Sequence, residues 1–458
     1  MAGKAGYYYS GHRLAARSAL RASAIGHRPH PGHQQTARNP AIHHFHYRDE
    51  SLYCEDVPLA RIAAEVGTPC YVYSQATLSR HYRVFAEGLS EIPHLICYAM
   101  KANSSQAILK LLLNLGAGFD IVSGGELYRA LAAGADPARI VFSGVGKNAA
   151  EIAAALEAGI LMFNVESEGE LRQIARVATD MGRRAPVSLR VNPDIDPRTH
   201  PYIATGLSQS KFGIEIATAR QLFAWARQQP SLEVVGIDCH IGSQITELEP
   251  FLEAFERVRE MVLELKVQGL PIRYLDLGGG LGIPYHDETP PEPREYTQAL
   301  AQRAADLGCT LVFEPGRVLV GNAGILLTRV EYLKQGSSKH FVIADTGMHH
   351  LIRPALYDAW QGIQAVNPRS GEPVRGDLVG PICESGDFLA KDRMLPPLEP
   401  GDLLAIMSAG AYGFSMASNY NSYPRPAEVL VNADKYAVVH QRERYEDLVR
   451  GESLPDWL

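Results

Sequence analysis

Residues 95–103 read Leu-Ile-Cys-Tyr-Ala-Met-Lys-Ala-Asn, six apolar residues that run directly into Lys101. A short apolar run of this kind is typical of a buried β-strand. Eight such runs occur in all, and each ends at a polar residue or a glycine. The runs are Leu95–Met100, Gly118–Val122, Ile140–Phe142, Leu161–Val165, Pro186–Val191, Val234–Cys239, Ile272–Leu277 and Thr310–Phe313.

Segments with apolar residues at helical spacing precede and separate these runs. They include Gln75–Leu89, Glu126–Ala133, Ala149–Ala158, Glu168–Met181, Ala217–Gln228 and Pro250–Val267. Strands that alternate with helices indicate parallel pairing, so eight such units predict an α/β fold of the (β/α)8 TIM barrel type. A doubly wound open sheet is the alternative fold.

The barrel prediction places the active site at the C-terminal ends of the strands. The residues that follow the eight runs are Lys101, Ser123-Gly124-Gly125, Ser143-Gly144, Glu166, Asn192, His240 with Gly242-Ser243, Gly278-Gly279-Gly280, and Glu314-Pro315-Gly316-Arg317. We therefore expect these groups to converge at one end of the barrel.

Beyond Arg317 the sequence changes from helical patterns to β-rich ones. The β-rich runs are Gly324–Leu333, His340–Ala344, Gly362–Val366, Asp402–Ile406 and Ala427–Val431. We predict a barrel over residues 76–319, and a mainly β domain that combines residues 49–75 with 320–458, because chain ends often pair in space.

Residues 1–48 contain no Asp or Glu but carry six arginines and seven of the sixteen histidines. This composition cannot build a core. We expect a disordered basic arm or an extension from a misassigned start, with a transit peptide as the alternative.

The whole-chain composition excludes some classes of partner. The net charge of −7 offers no basic field for nucleic acid, and no apolar run approaches the roughly 20 residues that span a membrane. The six cysteines lie far apart without metal-binding spacing, which favours a reducing compartment such as the cytoplasm and predicts no metal site.

A lysine at the end of a buried strand is costly, because burial disfavours its charged form and lowers its pKa. That environment suits an amine that forms a Schiff base, although a lone lysine at a barrel rim more often pairs with a carboxylate. The glycine loop at Gly278–Gly280, with Gly316 and Arg317, can bind a phosphate. Glu314 can face a pyridine nitrogen and His240 can lie against a ring. Together these groups predict pyridoxal phosphate as cofactor.

The chain resembles the barrel-type pyridoxal-phosphate decarboxylases, in particular the diaminopimelate decarboxylases, from about Thr68 to Val431. The motifs are Tyr98–Asn103 (YAMKAN), Phe119–Glu126 (FDIVSGGE), His240–Gln244 (HIGSQ), Leu277–Gly280 (LGGG), Glu314–Arg317 (EPGR), Arg353–Tyr357 (RPALY), Cys383–Asp387 (CESGD) and Gly410–Gly413 (GAYG). His349-His350 departs from the family pattern, in which a smaller polar or acidic pair is expected.

The resemblance implies a role for each matching residue. Lys101 would carry the cofactor, with Asp120 as a supporting carboxylate, His240 on the ring and Glu314 at the pyridine nitrogen. The implied phosphate ligands are Ser243, the backbone around Gly279, Gly316 and Tyr412. The implied substrate ligands are Arg317, Arg353, Tyr357, Glu384 and Tyr412, with Arg317 also near the cofactor and Cys383 as a proton donor. In this family the Cys383-Glu384 segment reaches the neighbouring subunit's site, which implies a homodimer with shared active sites.

The implied reaction is decarboxylation of meso-2,6-diaminopimelate to L-lysine, the last step of lysine biosynthesis. The distal end of diaminopimelate carries both an ammonium and a carboxylate, so it needs an anionic and a cationic partner together. Arg317 and Arg353 can bind the carboxylate, and Glu384 can bind the ammonium. A decarboxylase of ornithine or arginine is the alternative. A racemase would need a second base, for which no tyrosine motif is found. A non-catalytic homologue would be expected to lose Lys101 or the phosphate loops.

Overall fold

The computed structural model describes residues 43–199, 205, 210–337 and 339–458. Its strands are β1 Phe45–Arg48, β2 Ser51–Cys54, β3 Val57–Pro58, β4 Cys70–Ser74, β5 His94–Ala99, β6 Gly118–Ile121, β7 Ile140–Phe142, β8 Met162–Val165, β9 Ala185–Asn192, β10 Ile214–Glu215, β11 Leu232–Asp238, β12 Tyr274–Asp276, β13 Thr310–Phe313, β14 Gly324–Gln335, β15 His340–Ala344, β16 Ile363–Ala365, β17 Val374–Val379, β18 Phe388–Leu395, β19 Leu403–Ile406, β20 Ala427–Asn432 and β21 Lys435–His440. Its helices are α1 Leu59–Val66, α2 Gln75–Glu87, α3 Gln106–Asn114, α4 Gly124–Ala132, α5 Ala149–Ala158, α6 Glu168–Asp180, α7 Ile216–Ala226, α8 Glu249–Val267, α9 Pro293–Ala304, α10 Arg317–Val320, α11 Arg353–Tyr357 and α12 Tyr445–Leu448.

Eight parallel strands form a closed barrel. They are β5, β6, β7, β8, β9, β11, β12 and β13, and each pairs with its neighbours in parallel register. The last strand pairs with the first, Val312 opposite Leu95, so the sheet has no free edge. The barrel prediction is confirmed, and the open-sheet alternative is wrong because β13 closes onto β5.

Three of the helices between the strands, α4, α5 and α6, begin at side chains that satisfy their free backbone N–H groups. Ser123 caps α4 by accepting from the N–H of Glu126, and Ser167 caps α6 in the same way. Asn148 forms a capping box with Glu151 at the start of α5. The sequence predicted Ser123 as one of the polar groups at the strand ends. In the structure its side chain caps α4.

A second sheet contains strands from both ends of the described chain. Strand β4 lies between β14, to which it is antiparallel, and β20, to which it is parallel. The remaining order runs β18, β17, β15, β14 on one side and β20, β21 on the other, with β19 also on β14 and β16 on β19. The predicted mainly β domain that takes up a segment preceding the barrel is confirmed. The boundaries at residues 76 and 319 stay a prediction.

The end of the predicted basic arm is ordered, which corrects the expectation for those residues. Phe45–Arg48 forms β1 and pairs with β2, and the side chain of Phe45 is buried. His44 donates its N–H to Thr77 Oγ1 at 3.0 Å. One buried aromatic ring and a strand partner order these residues despite their basic composition. Residues 1–42 of the arm lie outside the described residues.

Some strands escaped prediction, and among them are three strands of the second sheet whose sequences do not alternate cleanly. β17, β18 and β21 carry charged residues such as Arg375, Lys391 and Lys435, and much of their surface is exposed. β18 and β21 lie at the two ends of the strand order, and edge strands are commonly charged because charge prevents pairing with other chains. Among the described residues, no helix combines the length and apolar character that crossing a membrane requires.

Candidate active site

A cavity of about 520 Å³ opens at the C-terminal ends of the barrel strands. Nine of the predicted site residues line it, and they come from loops far apart in the sequence. They are Lys101, His240, Ser243, Glu314, Gly316, Arg317, Arg353, Tyr357 and Tyr412. The groups that follow the first, sixth, seventh and eighth runs therefore converge at this cavity, whereas those that follow the second to fifth runs, such as Ser143 and Glu166, do not line it.

Lys101 follows β5 and pairs with a carboxylate of the next strand. Its Nζ lies 2.6 Å from Asp120 Oδ2, and the carboxylate is fully buried while the lysine side chain remains 38% exposed to the cavity. Burial is the largest single effect and lowers the pKa of Lys101, but Asp120, Glu314 and Tyr412 together outweigh it and raise the pKa above its usual value. The expected lowering of this pKa is therefore wrong, because the negative groups around the amine together exceed the cost of burial.

Glu314 follows β13 and is held by two donors inside the barrel. Its Oε1 accepts from Ser143 Oγ at 3.1 Å and from Asn164 Nδ2 at 3.0 Å. Burial, with Asp120 and Asp276 nearby, raises the pKa of Glu314 well above its usual range. The protonated form of this carboxyl is therefore favoured more than it is for an exposed glutamate.

Asn164 joins Glu314 to a second buried carboxyl group. Its Nδ2 also donates to Asp276 Oδ2 at 3.0 Å, and burial raises the pKa of Asp276 to about 7. Asp238, Asp276 and Glu314 offer oxygens within 4.8 Å of one another. Because these carboxyl groups are buried and close together, their negative charges would repel one another, and the arrangement favours carboxyls that share protons.

His240 is oriented by the glycine loop after β12. Its Nδ1 accepts from the N–H of Gly279 at 3.0 Å, so a neutral ring carries its proton on Nε2. Burial, together with the charges of Arg190 and Lys101, lowers the pKa of His240 well below its usual range. The ring is thus neutral at the cavity wall.

The glycine loop itself is packed tightly against the neighbouring strand end. A Cβ on Gly279 would lie 2.2 Å from the carbonyl oxygen of Glu314, and one on Gly316 would lie 3.2 Å from the Cβ atoms of Ala99 and Ala102. Glycine is required because the two backbones approach so closely. The Gly279 N–H, expected to face a phosphate, instead donates to His240, which removes that donor from the predicted anion site.

Arg317 is buried at the cavity wall and contacts two hydroxyl groups. Its Nη2 donates to Ser243 Oγ at 3.1 Å, and its Nη1 donates to Tyr285 Oη at 2.7 Å. Its guanidinium carbon lies 4.9 Å from the centre of the Tyr412 ring. Among the described residues, Arg317 Nε has no hydrogen-bond partner.

Arg353 begins α11 and brings a second guanidinium to the same cavity. Its carbon lies 4.4 Å from the centre of the Tyr285 ring. The Gln361 amide, in the orientation that lets its NH2 group donate to Met407 O, accepts from Arg353 Nη1 at 2.6 Å. Burial lowers the pKa of Arg353, and the like charge on Arg317 adds to this lowering.

Four predicted residues do not line the cavity: Asp120 and Gly279 contact Lys101 and His240, which do line it, whereas Cys383 and Glu384 are separate from the site of their own chain. Both are exposed, and the loop that carries them leads from β17 to β18. The N–H of Cys383 donates to Asn421 Oδ1 at 2.9 Å, which fixes the backbone of this loop. The single chain thus lacks both side chains at its site.

His350 is accommodated within the fold, whereas both ring nitrogens of His349 are buried without a hydrogen-bond partner among the described residues. His350 Nδ1 lies 3.0 Å from Thr346 Oγ1 and its Nε2 lies 3.1 Å from the carbonyl oxygen of Pro424. Burial lowers the pKa of His350 to about 3, so this ring is neutral. Arg353, three residues further on, still reaches the cavity.

Several site residues were missed by sequence reasoning. Asn164 and Asp276 are buried residues of apolar barrel strands. A polar residue within an apolar run is the sequence feature that could have identified them as site residues. Tyr285 follows the glycine loop by five residues and carried no recognisable signal, because its role depends on two arginines distant in sequence.

The donor set fits pyridoxal phosphate. Lys101 supplies an amine, Glu314 a protonatable carboxyl for the pyridine nitrogen, and His240 a neutral ring. Arg317 Nε and Asp120 Oδ1 are buried polar atoms without partners among the described residues. Arg317 Nε can therefore still donate to a ligand, and Asp120 Oδ1 can still accept from one.

Comparisons with known proteins agree with this arrangement. The family described as "Pyridoxal-dependent decarboxylase, pyridoxal binding domain" matches residues 75–321. Diaminopimelate decarboxylase from Pseudomonas aeruginosa is 57% identical over 90% of this chain and 99% of the relative, and that from Vibrio cholerae is 54% identical over the same shares. The crystal structure of diaminopimelate decarboxylase from Helicobacter pylori complexed with L-lysine has a TM-score of 0.83 at 44% identity, covering 86% of this chain and 98% of that one. The chain therefore belongs to the diaminopimelate decarboxylase family of pyridoxal-dependent decarboxylases.

Proposed function

We propose that this chain decarboxylates meso-2,6-diaminopimelate to L-lysine and carbon dioxide, the last step of lysine biosynthesis. One observation carries the proposal: Arg317 and Arg353 are both buried and both face the cavity that contains Lys101. Two buried guanidinium groups at one wall call for an anionic partner.

The distal part of the substrate distinguishes diaminopimelate from other basic amino acids. It carries a carboxylate as well as an ammonium group, whereas ornithine and arginine carry a cation only. A guanidinium can bind a carboxylate through two parallel hydrogen bonds. A cation placed beside Arg317 and Arg353 would be repelled, so the geometry disfavours the ornithine and arginine alternatives.

Lys101 is the covalent attachment point for pyridoxal phosphate, and Asp120 holds its amine in place. When bound, the cofactor supplies a conjugated ring that takes up the electrons left behind as the carboxylate departs. Glu314 holds or yields a proton at the pyridine nitrogen, while Ser143 and Asn164 keep its carboxyl in position.

The other predicted residues bind or orient the cofactor and the substrate. His240, whose proton lies on Nε2, would lie against the cofactor ring. Ser243, Gly316, Tyr412 and the backbone of the glycine loop beside Gly279 would hold the phosphate. Arg317, Arg353 and Tyr357 hold the distal carboxylate, with Tyr412 between substrate and cofactor.

The working unit is proposed to be a cytoplasmic homodimer with shared active sites. Cys383 and Glu384 are exposed on their own chain, and a second subunit would bring them to the cavity. There Glu384 binds the distal ammonium. The Sγ–H of Cys383 donates the proton that replaces the lost carboxyl group and is restored from solvent.

Substrate comparison tests this proposal. Release of carbon dioxide is measured with diaminopimelate, ornithine, arginine and lysine at equal concentrations, and we expect diaminopimelate to be turned over far faster than the rest. A wide preference for ornithine would reject the assignment. Lys101→Ala should abolish turnover, and substantial activity in this variant would reject the role of Lys101.

A further inference from the structure

We propose that Tyr285 is a positioning residue that sets the selectivity of this enzyme for a distal carboxylate. It would do so by holding Arg317 and Arg353 side by side without neutralising either charge. The inference deepens the proposed function and rests on it, because it assumes that the two arginines bind the substrate carboxylate.

The two arginines would repel each other without a group between them. Arg317 is 7% exposed and Arg353 is 6% exposed, so water screens neither charge well. Like charges brought together in a poorly hydrated site are costly. Some neighbouring group must offset this repulsion while no substrate is bound.

Tyr285 contacts both guanidinium groups by different parts of one side chain. Its hydroxyl oxygen accepts from Arg317 Nη1 at 2.7 Å, and its ring centre lies 4.4 Å from the guanidinium carbon of Arg353. A hydroxyl lone pair and the negative face of an aromatic ring both attract cations. One neutral residue therefore contacts both charges.

The neutrality of Tyr285 matters for binding. A carboxylate at this position would pair with the arginines and compete with the substrate for their N–H groups. Tyrosine leaves both positive charges uncompensated, so a substrate carboxylate meets two cations whose positions are already set. Groups held in place before binding lose less entropy when the ligand arrives.

The backbone around Tyr285 is itself fixed. Its N–H donates to Glu288 Oε2 at 2.9 Å. Two residues earlier, the N–H of Ile283 donates to Gln244 Oε1 at 3.2 Å, and the carbonyl of Ile283 accepts from Gln244 Nε2 at 2.6 Å. The loop after β12 thus presents Tyr285 from a rigid base, as a positioning role requires.

Two substitutions separate the contacts. Tyr285→Phe removes the hydroxyl that Arg317 contacts and keeps the ring. Tyr285→Leu removes both. Tyr128→Phe is the matched control, because Tyr128 is 76% exposed and does not line the cavity.

Kinetics with diaminopimelate should show a change in KM more than in kcat. For Tyr285→Phe we expect KM to rise about 5- to 20-fold with kcat within about threefold of wild type, as for the loss of a hydrogen bond to a charged group. For Tyr285→Leu we expect a further rise of about fivefold, from the lost ring contact. Tyr128→Phe should match wild type.

Ligand binding provides a readout that general damage to the protein would not reproduce. Calorimetry on the enzyme loaded with pyridoxal phosphate compares L-lysine, which retains a carboxylate, with 1,5-diaminopentane, which has none. We expect Tyr285→Phe to weaken L-lysine by about the same factor as KM and to leave 1,5-diaminopentane within about twofold.

Equal weakening of both ligands, or an unchanged KM in both Tyr285 variants, would overturn the role of Tyr285. If Tyr285→Leu fails to fold, Tyr285→Phe alone decides through the same two ligands. A wild-type enzyme that releases no carbon dioxide from diaminopimelate would instead reject the proposed function. A raised KM together with selective weakening of L-lysine, beside an active wild type, supports the inference.

Discussion

Lys101 keeps its charge because Asp120 lies 2.6 Å away in a site where burial alone would lower the pKa of the lysine. We expect Asp120→Asn to lower this pKa by about one unit or more, since a close opposite charge shifts a pKa by about 1–3 units. Only the neutral amine attacks an aldehyde. The pH profile for uptake of pyridoxal phosphate by cofactor-free enzyme, followed by absorbance, should therefore move to lower pH. A profile at the wild-type position would contradict the pairing.

Asn164 is fully buried and donates to two carboxyl groups, Glu314 and Asp276. Asn164→Ala should lower the free energy of unfolding by about 2–3 kcal/mol, because Asp276 Oδ2 loses a donor inside the barrel and Glu314 Oε1 keeps only Ser143. Urea unfolding measures this change. Asn148→Ala is the matched control, since Asn148 caps α5 at the surface and its loss should cost about 1 kcal/mol. Equal losses in the two variants would argue against the buried network.

The loop between β12 and α9 depends on glycine for its packing against β13. Gly279→Ala would place a Cβ 2.2 Å from the carbonyl oxygen of Glu314, so one backbone must move. We expect a loss of roughly 2 kcal/mol or more in unfolding free energy, together with weaker pyridoxal phosphate binding as His240 loses its donor. Thermal unfolding and cofactor titration measure the two effects.

Gly169 provides the control for this prediction. It lies in the first turn of α6, and a Cβ there meets nothing within 4 Å. Gly169→Ala should raise the unfolding free energy by about 0.5–1 kcal/mol, because alanine loses less backbone freedom on folding. If both alanine variants behaved alike, steric contact would not explain the requirement at Gly279.

The regular elements were predictable where a local pattern defines them. Ile140–Phe142, Thr310–Phe313, His340–Ala344 and Ala149–Ala158 are observed with the predicted bounds. Strands β17, β18 and β21 were not predicted, since their stability depends on neighbouring strands and their own residues are largely polar.

A dimer with shared sites makes a distinctive prediction for mixtures of inactive variants. Lys101→Ala and Glu384→Ala subunits should each be inactive or nearly so alone. Mixed and allowed to exchange, they should recover roughly a quarter of wild-type activity, because half of the dimers are hybrids and each hybrid has one intact site. Carbon dioxide release measures recovery. No recovery, despite subunit exchange shown by mass spectrometry, would place both residues in one chain's site.

The amino-acid sequence by itself determined the alternation of strands and helices, the polar ends of eight strands, and thus the placement of Lys101, His240 and Glu314 at one end of a barrel. Burial and periodicity are local properties, so they can be read along the chain. Only the tertiary structure decided the partners of these groups. Asp120 raises the pKa of Lys101, Gly279 donates to His240 rather than to an anion, and Tyr285 lies between two arginines. These contacts join residues that are 19 to 68 positions apart in the sequence or that barrel closure brings together. A local sequence pattern does not show which distant residues lie close together in space.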